Sequence, residues 1–258
     1  MFVDSHCHLD LQEFDKGIDL IMTQMSNAKV DYALVAGIDK KKFNNILKLI
    51  SNYSNLYASV GMHPECLDKE EFSIEELCLL AKHNKKIVAI GETGLDYHSH
   101  DHQDLDWQRN RFRQHIRAAK ISTLPLIIHT RSAIIDTLNI LKEEGARDVG
   151  GVMHCFTENW DAAKLAMDLN FYISISGIVT FKNAKIVHEV ASKVPLDRIL
   201  IETDSPYLSP EPYRGKVNNP ANVVYVANKI AELRKTTVED VANASRKNFF
   251  SLFSKIGL

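Results

Sequence analysis

Two histidines spaced one residue apart, His6 and His8, open the chain; Glu92, His129, His154 and Asp204 follow at intervals too long for any local motif. Neutral imidazole and carboxylate oxygen are ligands for zinc, manganese, iron or cobalt, whereas an all-oxygen set would suit magnesium better. Each residue taken alone reads as an ordinary polar side chain at the end of a strand. Random placement of 11 histidines would rarely put four at one rim with two acids beside them, so the set together reads as a divalent-metal site. Six ligands exceed the four that a closed tetrahedral ion takes, which points to two ions sharing one carboxylate, with Glu92 the natural bridge. A metal pair of that kind activates water and suits hydrolysis, phosphoester hydrolysis above all.

These residues can meet only if a fold brings them together, and the hydrophobic pattern supplies one. Short apolar runs recur at Phe2-Val3, Tyr32 to Ala36, Leu56 to Val60, Ile87 to Ile90, Leu124 to Ile128, Gly151 to Met153, Phe171 to Ile175 and Ile199 to Ile201. Between them lie segments with the i, i+3, i+4, i+7 spacing of a helix face, such as Phe43, Ile46, Leu47 and Ile50, and Ala162, Leu165, Ala166 and Leu169. Ser73 and Glu76 stand at capping-box spacing before Ile74, Leu77, Cys78 and Ala81. Eight strands alternating with helices in about 250 residues imply an α/β chain closed as a (β/α)8 TIM-type barrel. A further C-terminal helix, capped by Thr236 with Glu239 and carrying Phe249 and Phe253, is expected to pack on the barrel. No linker or repeat divides the chain, so residues 1–258 are expected to form a single domain.

Barrels of this kind carry their chemistry at the carboxyl ends of the strands. The first strand ends in His6-Cys7-His8, whose alternation turns both imidazoles inward and Cys7 outward. Glu92, His129, His154 and Asp204 follow the fourth, fifth, sixth and eighth strands, so the six candidates converge from five strands.

Bulk composition adds little. The formal charge is −2, which announces neither a nucleic-acid nor a membrane partner, so an anionic substrate must be attracted locally. Cys7, Cys66, Cys78 and Cys155 form no Cys-x-x-Cys pair and read as reduced thiols. Met1 runs directly into Phe2 and Val3 with no room for a signal peptide, and no apolar run spans a membrane, so a cytoplasmic protein is expected. A monomer is expected.

The chain resembles the TatD-type metal-dependent deoxyribonucleases of the amidohydrolase superfamily along its whole length. The resemblance rests on Val3 to Asp10, Gly61-Met62-His63-Pro64, Gly91-Glu92-Thr93-Gly94-Leu95-Asp96-Tyr97, Leu124 to Arg131, His154-Cys155-Phe156 and Glu202-Thr203-Asp204-Ser205-Pro206-Tyr207-Leu208, in that order. It implies two divalent ions, zinc, manganese or magnesium, with His6, His8 and Asp204 on one, His129 and His154 on the other, and Glu92 between them. Many other amidohydrolases bridge their metals with a modified lysine after strand four; Glu92 in that place separates this chain from the urease-like and dihydroorotase-like branches. The implied activity is exonuclease-type hydrolysis of DNA at single-stranded or frayed ends by metal-activated water, with Asp204 and Glu92 catalytic and Asp204 orienting or deprotonating the water.

His63 and Arg131 follow the third and fifth strands and are the candidate substrate-binding residues. The resemblance places the histidine near substrate, and a guanidinium matches phosphate oxygens bidentately. Tyr207 reads chiefly as rim packing, with base stacking the alternative. His98-Ser99-His100-Asp101-His102 reads as a solvated loop, and Arg109, Arg113, Arg117 and Lys120 as a wet outer helix face rather than a DNA groove. Two other readings compete: a small-molecule amidohydrolase acting on a lactone, cyclic amide or phosphotriester, and a noncatalytic metal-bound interaction module. Fold and metals alone do not separate the two enzymes.

Overall fold

A computed structural model describes residues 1–14, 17–67, 70–98 and 105–257. Eight parallel strands, β1 (Phe2–Cys7), β2 (Val30–Val35), β3 (Leu56–Val60), β4 (Ile87–Asp96), β5 (Leu126–Arg131), β6 (Gly151–Met153), β7 (Phe171–Ile175) and β8 (Ile199–Ile201), pair in sequence order. Closure comes just beyond β8, where Cys7 and Ser205 form a parallel bridge. There the His8 amide donates to the Ser205 carbonyl at 2.8 Å, and the Asp204 amide to the His6 carbonyl at 2.9 Å. The architecture is a TIM barrel.

Helices α1 (Ile18–Asn27), α2 (Phe43–Asn52), α3 (Ile74–His83), α4 (Asp106–Ser122), α5 (Ile134–Glu143), α6 (Trp160–Asp168), α7 (Lys185–Lys193) and α8 (Val223–Arg234) alternate with the strands, and α9 (Val238–Leu252) follows. Their apolar faces bury outward-pointing strand residues such as Val35, Ala58, Ile90, Ile128 and Ile173 in one shared layer. The Ser73/Glu76 capping box forms as the spacing predicts. At α9 the cap moves one residue along, to Thr237 with Asp240. The reason is local: the Thr236 amide is taken up closing α8, donating to the Ala231 carbonyl at 3.1 Å, so the new helix starts later.

Helix α9 does more than lie against the barrel. Phe249 and Phe253 are fully buried and join Val3, Leu34, Val88, Ala89, Ile127, Val152 and Leu200, the inner-facing residues, in one cluster. Neighbouring bonds mark which end is stopped. Asn248 donates to the carbonyls of Leu196 and Ile199, at the start of β8, and Lys255 to that of Ile87, at the start of β4. The amino end of the barrel is therefore packed with hydrocarbon, and the polar residues gather at the other. No helix among the described residues is long and apolar enough to cross a membrane.

The basic stripe on α4 is matched by acids: Arg109 by Asp106 and Asp136, Arg113 by Glu143 and Glu144, Arg117 by Glu144, and Lys120 by Asp148. In the histidine-rich loop, His98 donates its amide to Asp96, and Ser99 to His102 lie outside the described residues. Because Phe253 fills the floor, Phe253→Ala is expected to cost about 3–5 kcal/mol in denaturant unfolding, with metal content per folded molecule unchanged.

Candidate metal centre

At the carboxyl rim the six candidate ligands come together around Glu92, which is 1 % exposed. Its two oxygens face different partners. Oε2 lies 3.2 Å from His6 Nε2 and 3.7 Å from His8 Nε2, and Asp204 Oδ1 completes that group at 3.6 Å and 3.2 Å from the same nitrogens. Oε1 lies 2.9 Å from His154 Nε2, 3.2 Å from His129 Nδ1 and 3.3 Å from His63 Nε2. The ligand atoms thus sort into two sets that share one carboxylate.

Local backbone puts Glu92 there. The β4–β5 ladder slips between Ile90 and Thr93, and in the gap the Glu92 amide turns to the Gly37 carbonyl at 2.8 Å. Gly91 and Gly94 flank it at φ 141° and 137°; a Cβ there would sit 2.5 Å from the Ile127 carbonyl oxygen and 2.0 Å from that of His129. Only glycine lets β5 approach so closely. Asp204, at φ 54°, is held by its neighbours. The buried Asp4 carboxylate accepts from the Thr203 amide at 2.8 Å, the Thr203 hydroxyl at 2.5 Å and the His6 amide at 3.3 Å, tying β1 to the loop after β8.

Sequence spacing did not reveal Asp96, which orients the His129 imidazole, or Glu202, which lies behind His154. His129 Nε2 donates to Asp96 Oδ2 at 2.9 Å, which turns Nδ1 toward Glu92. Glu202 Oε1 accepts from the Cys155 amide at 2.7 Å and lies 3.3 Å from His154 Nδ1. The signal for Asp96 was strand parity: β4 runs on to Asp96 rather than stopping near Ile90, so residues 92 and 96 fall on one face. Glu202 precedes Asp204 by two and could have been read the same way.

His63 differs from the other four. The resemblance implies a place near substrate, and the structure sets it in the second ligand set. Its Nδ1 accepts from the Glu65 amide at 3.1 Å, so the neutral ring carries its proton on Nε2 and presents an N–H to the centre instead of a lone pair. Arg131, at the end of β5, is exposed and lines the same cavity, of about 590 Å³, together with Thr157, Ile178 and Tyr207. Tyr207 is 52 % exposed, with its ring centroid 6.3 Å from that of His8.

Electrostatics bind the cluster. Burial pushes the Glu92 carboxyl up, but His154, His63 and His6 outweigh it and hold the group well below the usual carboxylate range. Asp204 is likewise lowered against burial by His8, His6 and His154. Burial depresses the His8 imidazole, yet Asp204 and Glu92 raise it to about 9. His154 is driven up, against burial, by Glu92 and Glu202, and His129 by Asp96 and Glu92. His6 and His63 are lowered, by burial first. Buried acids are balanced here by cationic rings, a balance that a divalent cation can take over while releasing protons. The residues fit such a cation: Glu92 Oε2, which faces His6 Nε2 and His8 Nε2, is buried without a hydrogen-bond partner among the described residues, and the donor set is imidazole and carboxylate.

Barrel and centre together define a metal-dependent hydrolase. The family model for TatD related DNase matches residues 3–254. The chain is 44 % identical over 254 residues to the uncharacterized metal-dependent hydrolase YabD of Bacillus subtilis, covering 98 % of this chain and 99 % of that protein. It is 42 % identical over 254 residues to YcfH of Escherichia coli, a similarly described hydrolase, covering 97 % and 95 %. The crystal structure of YjjV, a TatD homolog from Escherichia coli, superposes with a TM-score of 0.92 at 30 % identity, covering 98 % of each chain. This chain therefore belongs to the TatD-related DNase family.

Two measurements probe the centre. Asp96→Ala, which frees the His129 ring, is expected to weaken metal affinity about 10–100-fold in chelator competition with the barrel still folded. Behind His63, the buried His115 ring is pushed down to about 4 by burial, with the Arg111 charge adding to it. Its folded value lies below the ordinary 6.5, so the unfolded chain binds the proton more readily and stability falls as pH drops from about 6.5 toward 4. Urea unfolding across that window should show a loss on the order of 3 kcal/mol that His115→Gln lacks.

Proposed function

We propose that this hydrolase is a deoxyribonuclease that removes nucleotides from single-stranded or frayed DNA ends. The observation that carries the reading is the Glu92 carboxylate, with one oxygen toward His6, His8 and Asp204 and the other toward His129 and His154, an arrangement suited to two-ion phosphoester hydrolysis. Two divalent ions held by those six residues would supply positive charge for the phosphate oxygens and acidify a water toward neutrality.

The chain's own groups do the rest. Asp204 Oδ1, at the mouth beside His8, orients the attacking water and accepts its proton as the oxygen–phosphorus bond forms. His63 donates its Nε2 proton as a hydrogen bond to a phosphate oxygen, and exposed Arg131 pairs with the phosphate at the cavity edge. The leaving sugar oxygen departs with a proton from solvent. A net charge of −2 is compatible with this, because a terminal nucleotide needs fewer phosphate contacts than a wrapped duplex. The four histidines and the exposed cavity also support catalysis over a purely structural metal role, which would leave no open face.

Metal-loaded protein incubated with end-labelled single-stranded DNA, double-stranded DNA, RNA and a lactone panel tests the reading. The expected result is DNA shortened progressively from one end, abolished by chelator, with Asp204→Ala slower by about 10²–10⁴-fold. Turnover of a lactone or amide alone would overturn it.

A further inference from the structure

His63 sits on the turn after β3 and takes its position from helix α4 behind it. Its amide donates to the Ile38 carbonyl at 3.1 Å, and its own carbonyl accepts from Arg111 Nη1 at 2.7 Å. Arg111 is only 4 % exposed, which a guanidinium tolerates only when its donors are used. Nη2 bonds the Cys66 carbonyl at 2.8 Å, Nε bonds the Glu71 carboxylate at 3.0 and 3.1 Å, and the Trp107 ring lies beneath it at 4.8 Å.

One turn further along α4, His115 is completely buried. Its Nδ1 donates to the Arg111 carbonyl at 2.9 Å, so the neutral ring keeps a lone pair on Nε2, and that atom accepts the Met62 amide at 3.1 Å. The backbone on either side of the His63 α-carbon is thus gripped from one helix, by His115 at the amide of the preceding residue and by Arg111 at the following carbonyl. No step of the proposed hydrolysis uses His115. An apolar side chain would fill the same space without accepting the Met62 amide, so the imidazole's particular contribution is that acceptor.

We propose that His115, together with Arg111, is a positioning residue for His63: the pair pins the Met62–His63 backbone so that the His63 N–H stays aimed at the centre, 3.3 Å from Glu92 Oε1. The catalytic consequence rests on the reading of His63 as a donor to substrate; the geometric one does not. Loss of the pin lets the ring drift, and misplacement on the scale of an ångström lowers the rate of a positioned reaction by about 10²-fold.

The test uses His115→Leu, His115→Gln and Arg111→Gln in the full metal-loaded chain. Measured are kcat and KM on end-labelled DNA, metal content, and the ring-nitrogen NMR shifts of His63, assigned with His63→Gln. His115→Leu and Arg111→Gln are expected to lower kcat by about 10²-fold while KM and metal content hold, and to blur the fixed Nε2–H signature of His63. Gln at 115 offers a carbonyl oxygen to the Met62 amide and should restore both. Wild-type kcat and unchanged His63 shifts in the Leu variant would overturn the proposal; should that variant fail to fold, the same outcome in Arg111→Gln would do so. If the wild-type protein cleaves no DNA, the nuclease reading fails, and the His63 shifts still decide whether the brace exists.

Discussion

A carboxyl taken wholly out of water keeps its charge only where positive charge or metal meets it, since the cost of burying the ion alone exceeds the stability of a whole domain. Glu92 is such a group, and much of the upper half of the barrel can be understood as the answer to its burial. Both oxygens need partners, and the strand ends provide imidazoles on both sides. Behind them, Asp96 holds the His129 ring by a hydrogen bond and Glu202 stands beside His154. The requirement spreads outward from one side chain to five strands.

The barrel meets this demand by dividing its interior. Below, Phe249 of α9 and Phe253 just after it close the amino end against the inner aliphatic layer. Above, the interior is polar and opens into the cavity bounded by Arg131 and Tyr207. The seam between β1 and β8 is thin, because β8 is short and pairing with β1 comes only at Ser205. Asp4 reinforces it through Thr203, and the same bonds fix Asp204 beside His8. Closing the fold and placing the acid are one task.

Helix α4 shows how an outer element can serve the centre from behind. Its solvent face is a stripe of arginines paired with acids from neighbouring elements. Its inner face carries Arg111 and His115, which grip the turn bearing His63. Helical periodicity cannot flag them, because a buried arginine and a buried histidine occupy positions where apolar residues are expected. Their partners are backbone groups some fifty positions away, and backbone carbonyls look alike in every sequence.

What the sequence alone determined follows from periodicity and residue type. Alternating strands and helices implied the closed barrel, and strand ends rich in histidine and acid implied the metal-binding rim, because side-chain direction along a strand is set locally. The Ser73 cap was legible for the same reason, and the α9 cap was missed by one residue because the ending of α8 competes for Thr236. Only the tertiary structure decided which oxygen of Glu92 faces which ring, that β4 continues to Asp96 so that this acid reaches His129, and that His63 turns an N–H to the centre. Those outcomes depend on hydrogen-bond partners distant in the chain and on a slip in the β4–β5 ladder. The candidate ligands are a matter of composition at the strand ends; orientation and proton position are set by what packs behind them.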